Sequence, residues 1–149
     1  MIIVIFGQPG SGKTTLSQAL DINHWLLDGD RIRTVFKDTD YSREGRIKNL
    51  NRASDIAVFQ KSMYKDVGIT IAMVHPYEES RQYLTDMCKK LKIPLKWVYL
   101  IHEDDRGKEK FKVADFELPH MDDIDVIINT SNTTVKQSVD KIKRICRIF

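Results

Sequence analysis

The chain has 149 residues, of which 42% are hydrophobic and 30% charged. That is one domain with a mobile insert rather than two domains, too apolar for wholesale disorder, and without the run of roughly 18–20 apolar residues that crosses a bilayer. Its 24 basic and 21 acidic residues leave a net charge of only +3, which excludes a highly basic DNA-coating protein and leaves room for one local anion site.

Ile2–Phe6 is five apolar residues in a row, β-branched and aromatic, stopped by Gly7. It reads as a strand buried on both faces, as in a parallel sheet. The run is short, follows no basic residue and ends in a glycine loop, unlike a signal peptide. Residues 13–20 read as a helix. Residues 25–27 form a second short apolar run, ending at Asp28-Gly29-Asp30. Within 42–66, Ile47, Leu50, Ala53 and Ala57 recur at helical spacing. Residues 69–74 are strand-like and stop at His75-Pro76, and the proline suits the first turn of a helix over 78–91. Residues 95–101 read as a strand, and the charged, aperiodic stretch 102–120 as a loop or lid. Residues 124–128 read as a last strand. Val135, Val139, Ile142, Ile145, Cys146 and Phe149 make a closing helical stripe suited to core packing. Strands alternating with helices predict an α/β fold, a five-stranded parallel sheet flanked by helices on both faces, filling 1–149 as one domain with the lid at about 102–120. Cys88 and Cys146 cannot build a disulfide framework, and no Cys/His spacing resembles a zinc site. A reducing cytoplasm is the expected compartment.

Gly7-Gln8-Pro9-Gly10-Ser11-Gly12-Lys13-Thr14, followed by Thr15, matches the phosphate-loop pattern G-x-x-x-x-G-K-[ST] at every specified position. A buried strand precedes it and a helix follows. The glycines let the backbone wrap phosphate with its N–H groups inward, and the helix start favours an anion. Lys13 is expected to neutralise β- and γ-phosphate oxygens, and the Thr14 hydroxyl to bind Mg²⁺. These residues predict nucleoside triphosphate binding, not the reaction, and mark the fold as the P-loop NTPase type. No guanine-reading N-K-x-D segment and no dinucleotide fingerprint is present. The size suits a compact kinase acting on a small acceptor.

Asp28 and Asp30 fall just past the end of the second predicted strand, where open α/β sheets bind ligands. A carboxylate there can hold Mg²⁺ or take the acceptor's hydroxyl proton; Asp30 can equally be the cap of the next helix. Segment 31–52 holds seven basic and three acidic residues, a net +4. Arginine outnumbers lysine five to two, which suits planar recognition of phosphate or sulfate. Arg33, Arg46 and Asn49 are the acceptor-site candidates; Lys37, Arg43 and Lys48 are expected to be solvated.

The segments GQPGSGKTT, LDGDRIR, DYSREGRIKNLNR, HPYEESR, FELP and DVIINTSNTTVKQSV resemble, in order and over nearly the whole chain, those of adenylylsulfate kinases. The loop is generic to many kinases; the DGD-x-[IV]-R turn with the later aromatic-Ser and Arg-x-x-Asn elements is far more specific. The family moves the γ-phosphoryl of ATP to the ribose 3′-hydroxyl of adenylylsulfate. The resemblance implies that residues 7–14 bind ATP phosphates and that Thr14, Asp28 and Asp30 organise Mg²⁺ and the acceptor hydroxyl. It implies Arg33 at the phosphosulfate, Tyr41 stacked on the acceptor adenine, Arg46 and Asn49 in contact with the acceptor, and Phe116 against its base. It also implies a nucleotide-like small-molecule substrate, with neither nucleic acid nor membrane as partner; the family often forms dimers, and no stripe in this chain decides for or against a homodimer.

Three features depart from the family. His75-Pro76-Tyr77 replaces Ser-Pro-Tyr; His75 is either an anion ligand when protonated or a structural histidine. Arg31 follows the DGD turn where the family has asparagine. The lid is shortened to residues 104–111, whose Arg106, Lys108 and Lys110 are candidates to reach the phosphates on closure. The departures leave two other functions open: phosphoryl transfer to another nucleotide-like or anionic metabolite, such as a cytidine diphosphate derivative or a sugar acid, and ATP binding without transfer.

Overall fold

The computed structural model describes residues 1–104 and 106–148. Five parallel strands form one sheet: β1 (Ile2–Phe6), β2 (His24–Asp28), β3 (Gly68–Met73), β4 (Leu95–Ile101) and β5 (Val126–Asn129). Their order is β2-β3-β1-β4-β5, with β1 in register against both β3 and β4. Five helices cover it: α1 (Lys13–Ala19), α2 (Gly29–Phe36), α3 (Arg43–Met63), α4 (Glu78–Lys90) and α5 (Val135–Cys146).

The two-residue period of a strand divides β1 between two cores. Ile2, Val4 and Phe6 join Ile32, Leu50, Ala53, Ala57 and Leu84 from α2, α3 and α4. Ile3 and Ile5 join Leu16, Val139 and Ile142 from α1 and α5. All five β1 residues are wholly buried, which is why the strand reads as an unbroken apolar run.

The helix over 29–36 is separate from the next one. Asp28, not Asp30, caps it: Asp28 Oδ1 accepts from the backbone N–H of Asp30 and Arg31 at 3.1 and 3.2 Å. Lys37, at φ +53°, ends it, and Ser42 restarts the chain by capping α3 through the Gly45 N–H. β5 begins two residues later than expected, because Asp125 is spent outside the strand: its backbone N–H donates to the Trp97 carbonyl and its carboxylate accepts from the Trp97 N–H. α5 carries a Thr134–Gln137 capping box and ends at Cys146; Phe149, the last residue of the expected stripe, lies outside the described residues. Among the described residues no helix is long and apolar enough to cross a membrane.

Candidate active site

The loop of residues 7–14 hangs from the C-terminal end of β1, between the ends of β3 and β4. Gly7 has φ +154° and lies so near β4 that a Cβ there would fall 2.4 Å from the Leu100 carbonyl oxygen; no other residue fits. Lys13 Nζ spans the loop, donating to the carbonyls of Gly7 at 3.0 Å and Gln8 at 2.9 Å, with Ser11 Oγ at 3.4 Å. Burial lowers its pKa to about 8, against the opposing pull of the Asp30 and Asp28 carboxylates. Pro9, Gly10 and Gly12 are half-buried along the loop, and Thr14 and Thr15 are exposed at the start of α1.

Thr14 Oγ1 donates to Asp28 Oδ2 at 3.4 Å, so the two ends of one carboxylate serve two elements. Thr14 and Asp28 offer a hydroxyl and a carboxylate side by side, and among the described residues no group of three or more His, Cys, Asp or Glu side chains gathers anywhere. Two hard oxygens suit Mg²⁺, which keeps several waters and takes phosphate oxygens rather than a closed protein cage. Asp30, free of capping, is exposed in the first turn of α2, near enough to act on Lys13.

The basic segment is partly neutralised from within. Arg33 Nη1 donates to Asp38 Oδ1 at 3.2 Å and to the Asp40 carbonyl at 2.9 Å. Its guanidinium lies 4.1 Å above the Tyr41 ring, so the structure brings these two acceptor-site candidates together, with Tyr41 otherwise exposed. Asp38 Oδ2 accepts from Arg52 as well, at 3.2 Å. A backbone hydrogen bond from Asp40, with the two arginines, holds the Asp38 carboxyl below the usual range. Arg43 is exposed, as expected, and also pairs with Glu117 at 2.7 Å, Glu79 at 3.4 Å and Asp115 at 3.6 Å, lying 4.2 Å over the Tyr77 ring. Its partners come from remote parts of the chain, which helix periodicity does not reveal. Arg46 lies beside the Tyr77 side chain. Asn49 is buried, and its side-chain oxygen has no hydrogen-bond partner among the described residues.

His75 corrects one expectation. It is wholly buried, at φ +50°, with its ring edge-on to Trp97 at 5.4 Å. Burial, then the nearby Arg81 charge, push its pKa down to about 3, so at neutral pH it offers no cation to an anion. Phe116 is half-buried and extends an aromatic ladder, stacked on Tyr99 at 6.1 Å while Tyr99 stacks on Phe6 at 4.9 Å. Arg81 was missed as an organising residue. It is buried and donates to the carbonyls of His75 at 2.7 Å and Glu117 at 2.8 Å and to Glu78 Oε2 at 3.1 Å. The signal was its place on the apolar face of α4 with Leu84 and Cys88, where an arginine must find internal partners.

Across the lid, Arg106 Nη1 donates to the Gly10 carbonyl at 3.2 Å, and its Nη2 to the Thr130 carbonyl at 2.8 Å. Thr130 Oγ1 donates in turn to the Ser11 carbonyl. Arg106 thus rests on the phosphate loop, while Lys108 and Lys110 flank the exposed Phe111 ring instead. Asp105 lies outside the described residues. Further along, the Gln8 side chain and the Val113 backbone exchange two hydrogen bonds of 2.9 Å. A cavity of about 450 Å³ lined by Cys88, Ile93 and Trp97 opens at the other end of the sheet and takes no part in this constellation.

A glycine loop on a central parallel strand, its lysine and a paired threonine–aspartate define a P-loop kinase. The family model for adenylylsulphate kinase matches residues 1–109, and the chain belongs to that family. Among solved structures, the fold is similar to the Mycobacterium tuberculosis APS kinase CysC in complex with AMPPNP and APS, at 17% identity and TM-score 0.83, covering 98% of this chain and 96% of that one. It is similar to a hexameric APS kinase from Thiobacillus denitrificans, at 19% identity and TM-score 0.70, covering 98% of this chain but 28% of that one. It is also similar to a gluconokinase from Sinorhizobium meliloti 1021, at 13% identity and TM-score 0.67, covering 98% and 91%. No curated protein matches the sequence.

Proposed function

We propose that this protein transfers the γ-phosphoryl of ATP to the 3′-hydroxyl of adenylylsulfate, in a Mg²⁺-dependent reaction. Family membership and a structural neighbour solved with AMPPNP and APS support the reading. The observation that carries it within this chain is the Thr14–Asp28 pair beside the phosphate loop, with Asp30 two residues on.

The loop residues 7–15 hold the nucleotide phosphates through the backbone N–H groups of all but Pro9, and Lys13 leaves the Gly7 and Gln8 carbonyls for the β- and γ-phosphate oxygens. Thr14 and Asp28 hold Mg²⁺, which when bound neutralises phosphate charge. Asp30 orients the acceptor hydroxyl and takes its proton. A bond forms from that oxygen to the γ-phosphorus as the bond to the β–γ bridging oxygen breaks, and ADP leaves with the bridging electrons. Arg106 is the third catalytic group: it moves a short way from Gly10 to the transferring phosphoryl as the lid closes and excludes water. Arg33, Arg46, Asn49, Tyr41 and Phe116 contact the acceptor, with Asp28 and Asp30 at its reacting end. Catalysis is mainly positioning and charge neutralisation.

A second reading keeps ATP and changes the acceptor. It is favoured by the neutralisation of Arg33 by Asp38 and by fold likeness to a gluconokinase. An acceptor panel decides. ADP release that rises only with adenylylsulfate supports the first reading; release driven by a sugar acid or a cytidine diphosphate derivative, and not by adenylylsulfate, replaces it. Tight ATP binding without turnover on any acceptor marks a binding protein. Lys13→Ala is expected to abolish transfer in a folded protein.

A further inference from the structure

The phosphate-loop pattern leaves its second position unspecified, and here that position is glutamine. The Gln8 amide uses both of its ends. Nε2 donates to the Val113 carbonyl and Oε1 accepts from the Val113 N–H, each at 2.9 Å, across 105 positions of sequence. The pair has the donor–acceptor logic of a strand ladder, made by one side chain against one peptide. Val113 is buried, whereas every described residue from 103 to 112 is exposed. Ala114 and Asp115 beyond it are exposed again, so the contact is a single buried anchor in an otherwise exposed stretch of lid.

Gln8 is tied at its other end as well. Its carbonyl accepts from Lys13 Nζ at 2.9 Å. One residue thus joins the lysine expected to follow phosphate to the segment expected to close over it. We infer that Gln8 is a positioning residue that couples the filling of the phosphate loop to the setting of the lid, through Lys13 on its backbone oxygen and Val113 on its side chain. When Lys13 turns to phosphate, the Gln8 peptide loses its ammonium partner and readjusts, and the bonds to Val113 readjust with it. This rests on the loop binding nucleotide phosphate, as proposed above.

Amide hydrogen exchange of the whole protein, with and without AMPPNP and MgCl₂, tests it. In the unaltered chain, nucleotide slows the amides of residues 10–13 and changes the exchange rate of Val113 by about tenfold or more. If the loop amides slow and Val113 does not respond, the coupling is wrong and the nucleotide reading stands. If neither responds, both fall. Gln8→Leu keeps the bulk and removes both hydrogen bonds; Val113 then exchanges faster and becomes indifferent to nucleotide, while the loop amides still slow. A Val113 that still follows nucleotide in Gln8→Leu overturns the inference. Gln8→Glu keeps the acceptor for the Val113 N–H and sets a carboxylate against its carbonyl, so it retains part of the protection. In turnover, both variants keep the residue 8 backbone, lower kcat and leave KM for ATP within about threefold; a change in KM for ATP alone would place the Gln8 side chain at the phosphates instead of on the lid.

Discussion

Arg81 donates a 2.7 Å hydrogen bond to the carbonyl oxygen of His75. The bond closes the corner where β3 gives way to α4, with His75 held in the left-handed region at φ +50°. The same guanidinium holds the Glu117 carbonyl, so one buried cation joins the strand end, the helix start and the base of the lid.

The His75 ring makes the fold sensitive to acid. Its pKa is about 3 in the folded chain, against 6.5 ordinarily. Below pH 6.5 the unfolded chain takes up a proton that the folded one refuses, so stability is complete above that value. It falls as pH drops toward 3, by up to about 1.4 kcal/mol per pH unit. His24, lowered to about 4 mainly by burial, adds in the same sense. His75→Asn, which tolerates positive φ, is expected to flatten urea-midpoint profiles between pH 6.5 and 4.5. An unchanged slope would place the acid sensitivity elsewhere.

Arg81→Met keeps the stem and removes the charge. It leaves the His75 and Glu117 carbonyls short of a donor, at an expected cost of about 2–4 kcal/mol in equilibrium unfolding. Glu78→Gln changes a partly exposed carboxylate and keeps an amide oxygen that can accept from Arg81 Nη2, so it is expected to stay within about 0.5 kcal/mol of the parent. Equal costs for the two would contradict this division.

Gly7→Ala places a methyl 2.4 Å from the Leu100 carbonyl oxygen, at a φ of +154°. Either β4 shifts or the loop does. Nucleotide affinity, read by calorimetry, is expected to fall at least about tenfold, with a lowered Tm. Normal affinity in Gly7→Ala would mean the loop tolerates displacement.

Asp28 and Asp30 are separable by experiment. Asp28→Asn keeps a good helix cap and loses the charge; Asp28→Ala loses both. Both are expected to depress kcat, and only Asp28→Ala to lower stability, by about 1 kcal/mol. Asp30→Asn is expected to lower kcat by about a hundredfold or more, with Tm unchanged. Full activity in Asp30→Asn would move the proton acceptor elsewhere.

Much of the fold was legible because parallel strands buried on both faces write themselves as apolar runs. β4 spans the very residues expected of it, and β2 gains only His24 and Asp28 at its ends. The break between α2 and α3 was less visible, since it turns on Lys37 at positive φ rather than on a glycine or proline. The phosphate loop was legible because its chemistry is local, six glycine-bounded positions followed by Lys13 and Thr14. Arg43, Arg81 and the Gln8–Val113 contact were not, because each depends on partners brought together only when the sheet assembles. The basic excess after the DGD turn was visible as a sum, but not that Asp38 takes two of its arginines.

β1 contributes to both cores, and the phosphate loop is its direct continuation. A defect on either side of the sheet therefore has the same outlet. Loosening Leu84 on one side or Ile142 on the other relaxes the strand from which the loop is suspended, so weaker nucleotide affinity becomes a reporter of damage far from any nucleotide. A screen for lost ATP binding in this chain would return packing mutants from opposite sides of the molecule, alike in phenotype and sharing no contact.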